Sequence, residues 1–317
     1  MPPLPPTGDR PDEQPPVYPS GPTAARMLLG ARLRRLREAA GIDRETAGEA
    51  IRASGAKIRR LENGGSGFKR RDVEDLLTLY GVTDEADRAV LLELVGRSNA
   101  PGWWHEYADL VPGWFEPFLG LEQSARIIRT WELQFVPGLL QTPEYARAVI
   151  AHGHPGASAG EIERRVALRM RRQRVLAAPC PVKLWAIIDE GALHRLVGGR
   201  ATMRRQLAHL AEMAELPNVT VQVMPLTGPQ TPSARRPVTM LRAAADIVPD
   251  VAYCEQLGGG LYFDKPADTA RFRDLLNWLA VHAAPPRETP GILGRLIARL
   301  EPAPLGGGGA GRTGRDR

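Results

Sequence analysis

The stretch ASGAKIRRLENG, residues 53–64, carries three basic residues within four positions, Lys57, Arg59 and Arg60. Ser54 is placed to cap a short helix by accepting a backbone N–H of its first turn. Ile58 and Leu61 then share one face, and Asn63-Gly64 ends the helix. Such a helix either presents a solvated basic face or lies against something acidic, and the sequence on both sides decides between the two.

Upstream, Leu29, Leu33, Leu36 and Ala40 recur at spacings of four, three and four. They predict one helix, ended by Gly41. Asp43 is an N-cap for a second short helix, Arg44 to about Ile51. Downstream, Val73, Leu76, Leu77 and Tyr80 predict a fourth helix over 71–80. Val90, Leu91, Leu94 and Val95 predict a fifth over about 84–97. Five short helices joined by tight turns describe a helix-turn-helix module.

The charge is concentrated in the same place. Residues 26–71 hold thirteen Lys and Arg against five Asp and Glu, whereas the whole 317-residue chain has a net charge of only +6. A polyanionic partner for that segment is the simplest physical reading.

LGARLRRLREAAG, the short second helix and SGAKIRRLENG together resemble the xenobiotic-response-element type of Cro/repressor helix-turn-helix domain. That resemblance implies binding of double-stranded DNA, with the third helix in the major groove. It puts Gly55, Ala56 and Arg60 towards the base edges and Ser54, Lys57 and Arg59 nearer the backbone, with Asn63 closing the set. Arg60 is suited to the O6/N7 pair of guanine. Arg44, where the family often has glutamine, is expected to contact a phosphate. Lys69 and Arg70 in the next loop are expected to hold phosphate or enter a minor groove. The resemblance also implies a buried ion pair between Arg37 and Glu62 that fixes the third helix. Half-sites about one helical turn apart make a homodimer the expected state.

Around this module, the fold class expected is multi-domain: an all-α five-helix helix-turn-helix domain over 26–97, then an α+β domain over 101–300 with a small, mainly antiparallel sheet. Residues 1–25 read as a proline-rich, disordered leader, with nine prolines among the first 22 residues. Residues 301–317 read as a glycine-rich, disordered tail. The chain has no apolar run long enough to span a membrane and no signal-peptide pattern, so a cytoplasmic location is expected.

In the C-terminal part, four of the six tryptophans fall between Trp103 and Trp131. Such a concentration makes a core, a ligand pocket or a partner surface. Segments 182–188, 219–225, 237–243 and 250–256 read as strands. Residues 161–177 predict a helix with six arginines between 164 and 174, a solvated face or a dock for an acidic partner. WWHEYADLVPGWFEPFLGLEQSA, RTWELQFVPGLLQTPEYARAV, DEGALHRLVGG and ELPNVTVQVMPL resemble the uncharacterised C-terminal domain of actinobacterial WhiJ-like, antitoxin-like regulators. The resemblance implies pairing with a small partner protein encoded nearby and supplies no ligand; a small-molecule effector is the other input expected for a domain of this kind.

Enzymatic alternatives are weak. Glu190 and His194 lie four apart, but Asp189 and Glu190 are explained as helix-start residues. His152 and His154 lack a third ligand. Gly258-Gly259-Gly260 matches neither a dinucleotide fingerprint nor a P-loop and reads as a tight turn. The two cysteines, Cys180 and Cys254, read as buried thiols. No catalytic activity, cofactor or metal site is expected.

Overall fold

A computed structural model describes residues 22–229, 234–243 and 249–300. The tail at 301–317 and the leader up to residue 21 lie outside the described residues. Helix α1 spans Pro22–Ala39, so residues 22–25, read as leader, are helical instead. Proline is favoured at a first helical position, and Ala25 just beyond is buried in the core.

Helices α2 (Arg44–Ala50), α3 (Gly55–Glu62), α4 (Arg70–Leu79) and α5 (Glu85–Asn99) complete the N-terminal domain. Local chemistry starts three of them. Asp43, Ser54 and Asp84 each accept a backbone N–H of the first turn, at 2.7, 3.3 and 2.9 Å. Leu29, Leu33, Ile58, Leu61, Leu76 and Leu77 fill the centre and are almost fully buried. Asn99, at the end of α5, clamps the α3–α4 loop by bonding both the N–H and the carbonyl of Phe68.

The C-terminal domain starts with α6 (Glu116–Ser124) and strand β1 (Ala125–Glu132). Helices α7 (Pro143–Gly153) and α8 (Ala159–Arg172) lead to β2 (Lys183–Asp189). Helices α9 (Glu190–His194) and α10 (Arg200–Ala214) lead to β3 (Val219–Met224). Then come β4 (Val238–Ala243), β5 (Val251–Gln256), β6 (Gly259–Phe263), α11 (Pro266–His282) and α12 (Thr289–Arg299). The sheet order is β3-β2-β1-β4-β5-β6. The β1–β2 and β2–β3 pairs are parallel and the other three antiparallel, so the α+β domain has a mixed sheet. The parallel half follows from the helices between β1, β2 and β3, because parallel neighbours need a long crossover. Gly258, at φ 78°, makes the tight β5–β6 turn.

One sheet face packs Ile128, Leu184 and Ile188 against Tyr145, Leu207 and Leu293 from α7, α10 and α12. The other packs Trp131, Ile187 and Met240 against Leu276 and Leu279 of α11. The tryptophans divide: Trp104 and Trp131 are buried, whereas Trp103 and Trp114 are partly exposed.

Most of the α8 arginines have partners inside the protein, although Arg164 stays exposed and Arg174, just beyond the helix, is exposed as well. Arg164 holds Asp109 at 2.6 Å, Arg165 holds Glu161 at 2.9 Å, and Arg169 donates to Gln141 at 2.7 Å. Arg171 pairs with Glu106, and Arg172 makes two 2.8 Å bonds to Glu122. The domain folds its own carboxylates onto this helix. Cys254 is buried, but Cys180 is exposed, contrary to the expectation of two buried thiols.

The two domains touch through α1 and α6. A Cβ on Gly120 would fall 1.9 Å from Thr23 Oγ1, so the helices meet nearly backbone to side chain at that point.

Candidate nucleic-acid interface

The α2–turn–α3 unit is tight enough to specify its residues. A Cβ on Gly48 would lie 2.5 Å from the Ala53 carbonyl, so α2 can approach the turn only with glycine there. Arg52, inside the turn, adopts φ 54°, a left-handed conformation that non-glycine residues rarely take. Behind α3, a Cβ on Gly30 of α1 would lie 2.4 Å from the Leu61 carbonyl and 2.6 Å from that of Glu62. The back of α3 thus rests directly on α1.

Glu62 locks that back face. Its carboxylate accepts from Arg37 Nε at 2.5 Å and Arg37 Nη2 at 3.3 Å, with the two side chains 2% and 7% exposed. Arg37 Nη1 also donates to the Ile42 carbonyl at 2.7 Å. The hydrogen bond to Glu62 raises the Arg37 pKa above its ordinary value, against the opposing effect of burial. Arg44 joins the same carboxylate through Nε at 2.9 Å. Read from sequence as a phosphate contact, Arg44 has a structural partner as well, which ties the start of α2 to the end of α3.

The front of α3 is different. Ile58, Leu61 and Glu62 are buried, while Ser54, Ala56, Arg59, Arg60 and Asn63 are exposed and Lys57 is half-buried. Ala56, Arg59, Arg60 and Asn63 fall at i, i+3, i+4 and i+7, which makes a single stripe along the helix. Among the described residues, no carboxylate pairs with Lys57, Arg59, Arg60 or Lys69. Gly55 does not join the stripe: a Cβ there would meet Glu45 Oε1 at 2.6 Å, so that position turns towards α2. Lys69 is the N-cap residue of α4, and Arg70 pairs with Glu74 at 3.0 Å one turn on. Arg52 was not singled out by sequence reasoning; it is exposed beside the stripe, in the turn leading into α3.

The weaker constellations stay apart from this face. Glu190 Oε1 lies 3.3 Å from His194 Nε2, and its Oε2 accepts the Leu226 N–H at 3.0 Å. Asp189 caps α9 through the Gly191 N–H at 2.8 Å. His154 Nδ1 contacts the Ile150 carbonyl at 3.1 Å. Among the described residues no group of three His, Cys, Asp or Glu is placed to hold a metal, and no helix is long and apolar enough to cross a membrane.

Residues 28–91 match a helix-turn-helix domain, and residues 115–295, more than half of the chain, match a domain of unknown function, DUF5753. The chain belongs to the DUF5753 family. No curated protein and no solved structure matches it. The DUF5753 match begins just before α6 and ends within α12, so it takes in the whole sheet. The helix-turn-helix match starts in α1 and ends in α5, and encloses the Arg37–Glu62–Arg44 cluster and the exposed stripe.

Proposed function

We propose that this DUF5753 chain is a cytoplasmic, sequence-specific regulator of transcription, of the Cro/repressor type, that binds operator DNA as a homodimer. Helix α3 enters the major groove, Arg60 reads a guanine edge, and Lys57, Arg59 and Lys69 hold phosphates. The observation that supports this most is the pairing of α3's two faces. Its back is clamped by a buried ion pair, while its front presents arginines with no protein partner among the described residues. Such a row of guanidinium groups among small and polar side chains complements a polyanion.

The DUF5753 domain is the controlling part in this reading, and it acts without catalysis. Its input is a small molecule or a small partner protein. The second source defines an alternative, a WhiJ-like or antitoxin-like component whose main task is to bind that partner. Leu257 and Leu261, exposed on the edge hairpin β5–β6, favour it, because edge strands with apolar side chains accept other chains.

The test is to sequence genomic fragments retained by the purified chain at about 150 mM salt, where non-specific phosphate binding is weakened. A shared inverted repeat is expected, and a dimer on that repeat in analytical ultracentrifugation. Uniform retention, or a monomer on DNA, would overturn the reading. A gel-filtration shift with the product of an adjacent small gene would favour the antitoxin-like alternative.

A further inference from the structure

Beside α6, the C-terminal domain holds an open cleft of about 330 Å³. That is the size of a small-ligand site. Its apolar walls come from Trp103, Leu119, Val175 and Val182, and its charge from Arg171, Arg172 and Arg174. Glu122 is the lining carboxylate, and it is fully engaged by Arg172 through two 2.8 Å bonds. Arg171 is held over the Trp103 ring, 4.9 Å from its centroid. Arg174 is exposed and has no acidic partner among the described residues. With Arg171 paired to Glu106 and Arg172 to Glu122, the cleft joins one uncompensated guanidinium, that of Arg174, to an indole and aliphatic walls. This combination suits an anion on an apolar, preferably flat, body.

The same helix connects the cleft to the DNA-binding domain. Leu119 and Glu122 face the cleft, and Gly120 between them presses on Thr23 of α1. Further along α1, Gly30 presses on the last turn of α3. At both places a single methyl would clash with its neighbour, so neither contact has slack to absorb a movement.

We propose that this cleft is an effector site for a small organic anion with an apolar body, and that α6 and α1 carry its occupancy to α3. The coupling half rests on the DNA-binding reading above; the binding half does not.

The probe is 8-anilinonaphthalene-1-sulfonate, titrated into the full chain and followed by energy transfer from tryptophan. Saturable binding of one probe per chain is expected. Arg174→Ala should weaken it about tenfold, with the far-UV spectrum unchanged, while Arg174→Lys retains most of it. Cys180, also in the cleft wall and exposed, should react more slowly with a thiol reagent when the probe is bound. Unsaturable binding, or binding indifferent to Arg174→Ala, overturns the site. For the coupling, anisotropy of a labelled duplex at about 50 mM salt should give dissociation constants that differ by roughly fivefold or more with and without the probe. Equal constants overturn the coupling and leave the site standing. If no duplex is bound at all, the DNA-binding reading and the coupling fall together, and the probe titration still decides the site.

Discussion

Removing the carboxylate charge of Glu62 should affect the N-terminal domain more than any change on its surface. In Glu62→Gln the neutral amide cannot balance Arg37, whose guanidinium is 7% exposed and within 2.5 and 3.3 Å of the two oxygens. Breaking a buried pair from one side costs about 3–5 kcal/mol when the other charge stays buried without compensation; here the more exposed Glu38, 3.6 Å from Arg37 Nη2, offsets part of that charge. Arg37 would keep its 2.7 Å bond to the Ile42 carbonyl, which places the expected loss nearer the lower end. Even so, about 3 kcal/mol is a large share of the roughly 5–15 kcal/mol that holds a typical domain. Residues 22–99 contain no tryptophan, so urea unfolding can be followed separately in each domain. Far-UV circular dichroism should show an early transition in Glu62→Gln, while tryptophan fluorescence, which reports residues 103–278 of the C-terminal part, stays near the parent midpoint. The double variant Arg37→Met with Glu62→Leu should regain most of the stability, since apolar pairs often replace buried ion pairs without loss. It should not regain DNA affinity, because Arg44 loses its anchor too. A loss below about 1 kcal/mol in Glu62→Gln would place the pair among exposed ones in energy and refute the locking role.

Three further outcomes are expected. Arg60→Ala should relax sequence preference by about 1–3 kcal/mol, whereas Lys57→Ala should weaken all duplexes alike and lower the salt slope by about one; equal losses for Arg60→Ala on operator and random DNA would end its base-reading role. Arg52→Gly should raise stability by about 0.5–1 kcal/mol, since relief of the left-handed φ of 54° outweighs the added flexibility of glycine; a lower unfolding midpoint would contradict this. Burial, together with the nearby Glu255, pushes the Glu132 carboxyl from its ordinary 4.5 up to about 8, so the folded domain holds a proton that the unfolded chain releases. The contribution is complete below about 4.5, declines by up to about 1.4 kcal/mol per pH unit towards 8, and is flat above. Glu132→Gln should remove this decline, and matching pH profiles of the tryptophan-detected transition would show the premise to be mistaken.

The N-terminal domain was legible because its signals are local. Asp43, Ser54 and Asp84 cap their helices within a few residues, and the spacings at Leu29, Leu33, Ile58 and Leu61 directly set which face is buried. The exposed stripe on α3 follows from the same periodicity. What the chain does not state locally is where Gly55 points or that Arg44 has a partner. Those depend on Glu45 and Glu62, brought close only when α2 and α3 pack.

In the DUF5753 domain the balance reverses. Strand β1, ARIIRTWE, is the parallel partner of β2 and the antiparallel partner of β4, yet its pattern does not announce a central strand. Both of its faces are covered. Arg129 therefore stacks on Trp185 and bonds Asn277, and Glu132 sits near the α8 arginines Arg169 and Arg172, which puts polar, titratable groups where a strand is expected to alternate. Helix α12 was likewise not anticipated, and its buried Leu293 takes meaning only from the sheet and α10. The α8 arginines looked like a surface because the carboxylates Glu106, Asp109 and Glu122 that hold Arg171, Arg164 and Arg172 lie far earlier in the chain. By itself the sequence determined the caps, the helical faces and the concentration of positive charge, all of which act over one or two turns. Only the tertiary structure decided which charges are neutralised inside the protein and which are left for a partner, because electrostatic pairing follows distance in space and not along the chain.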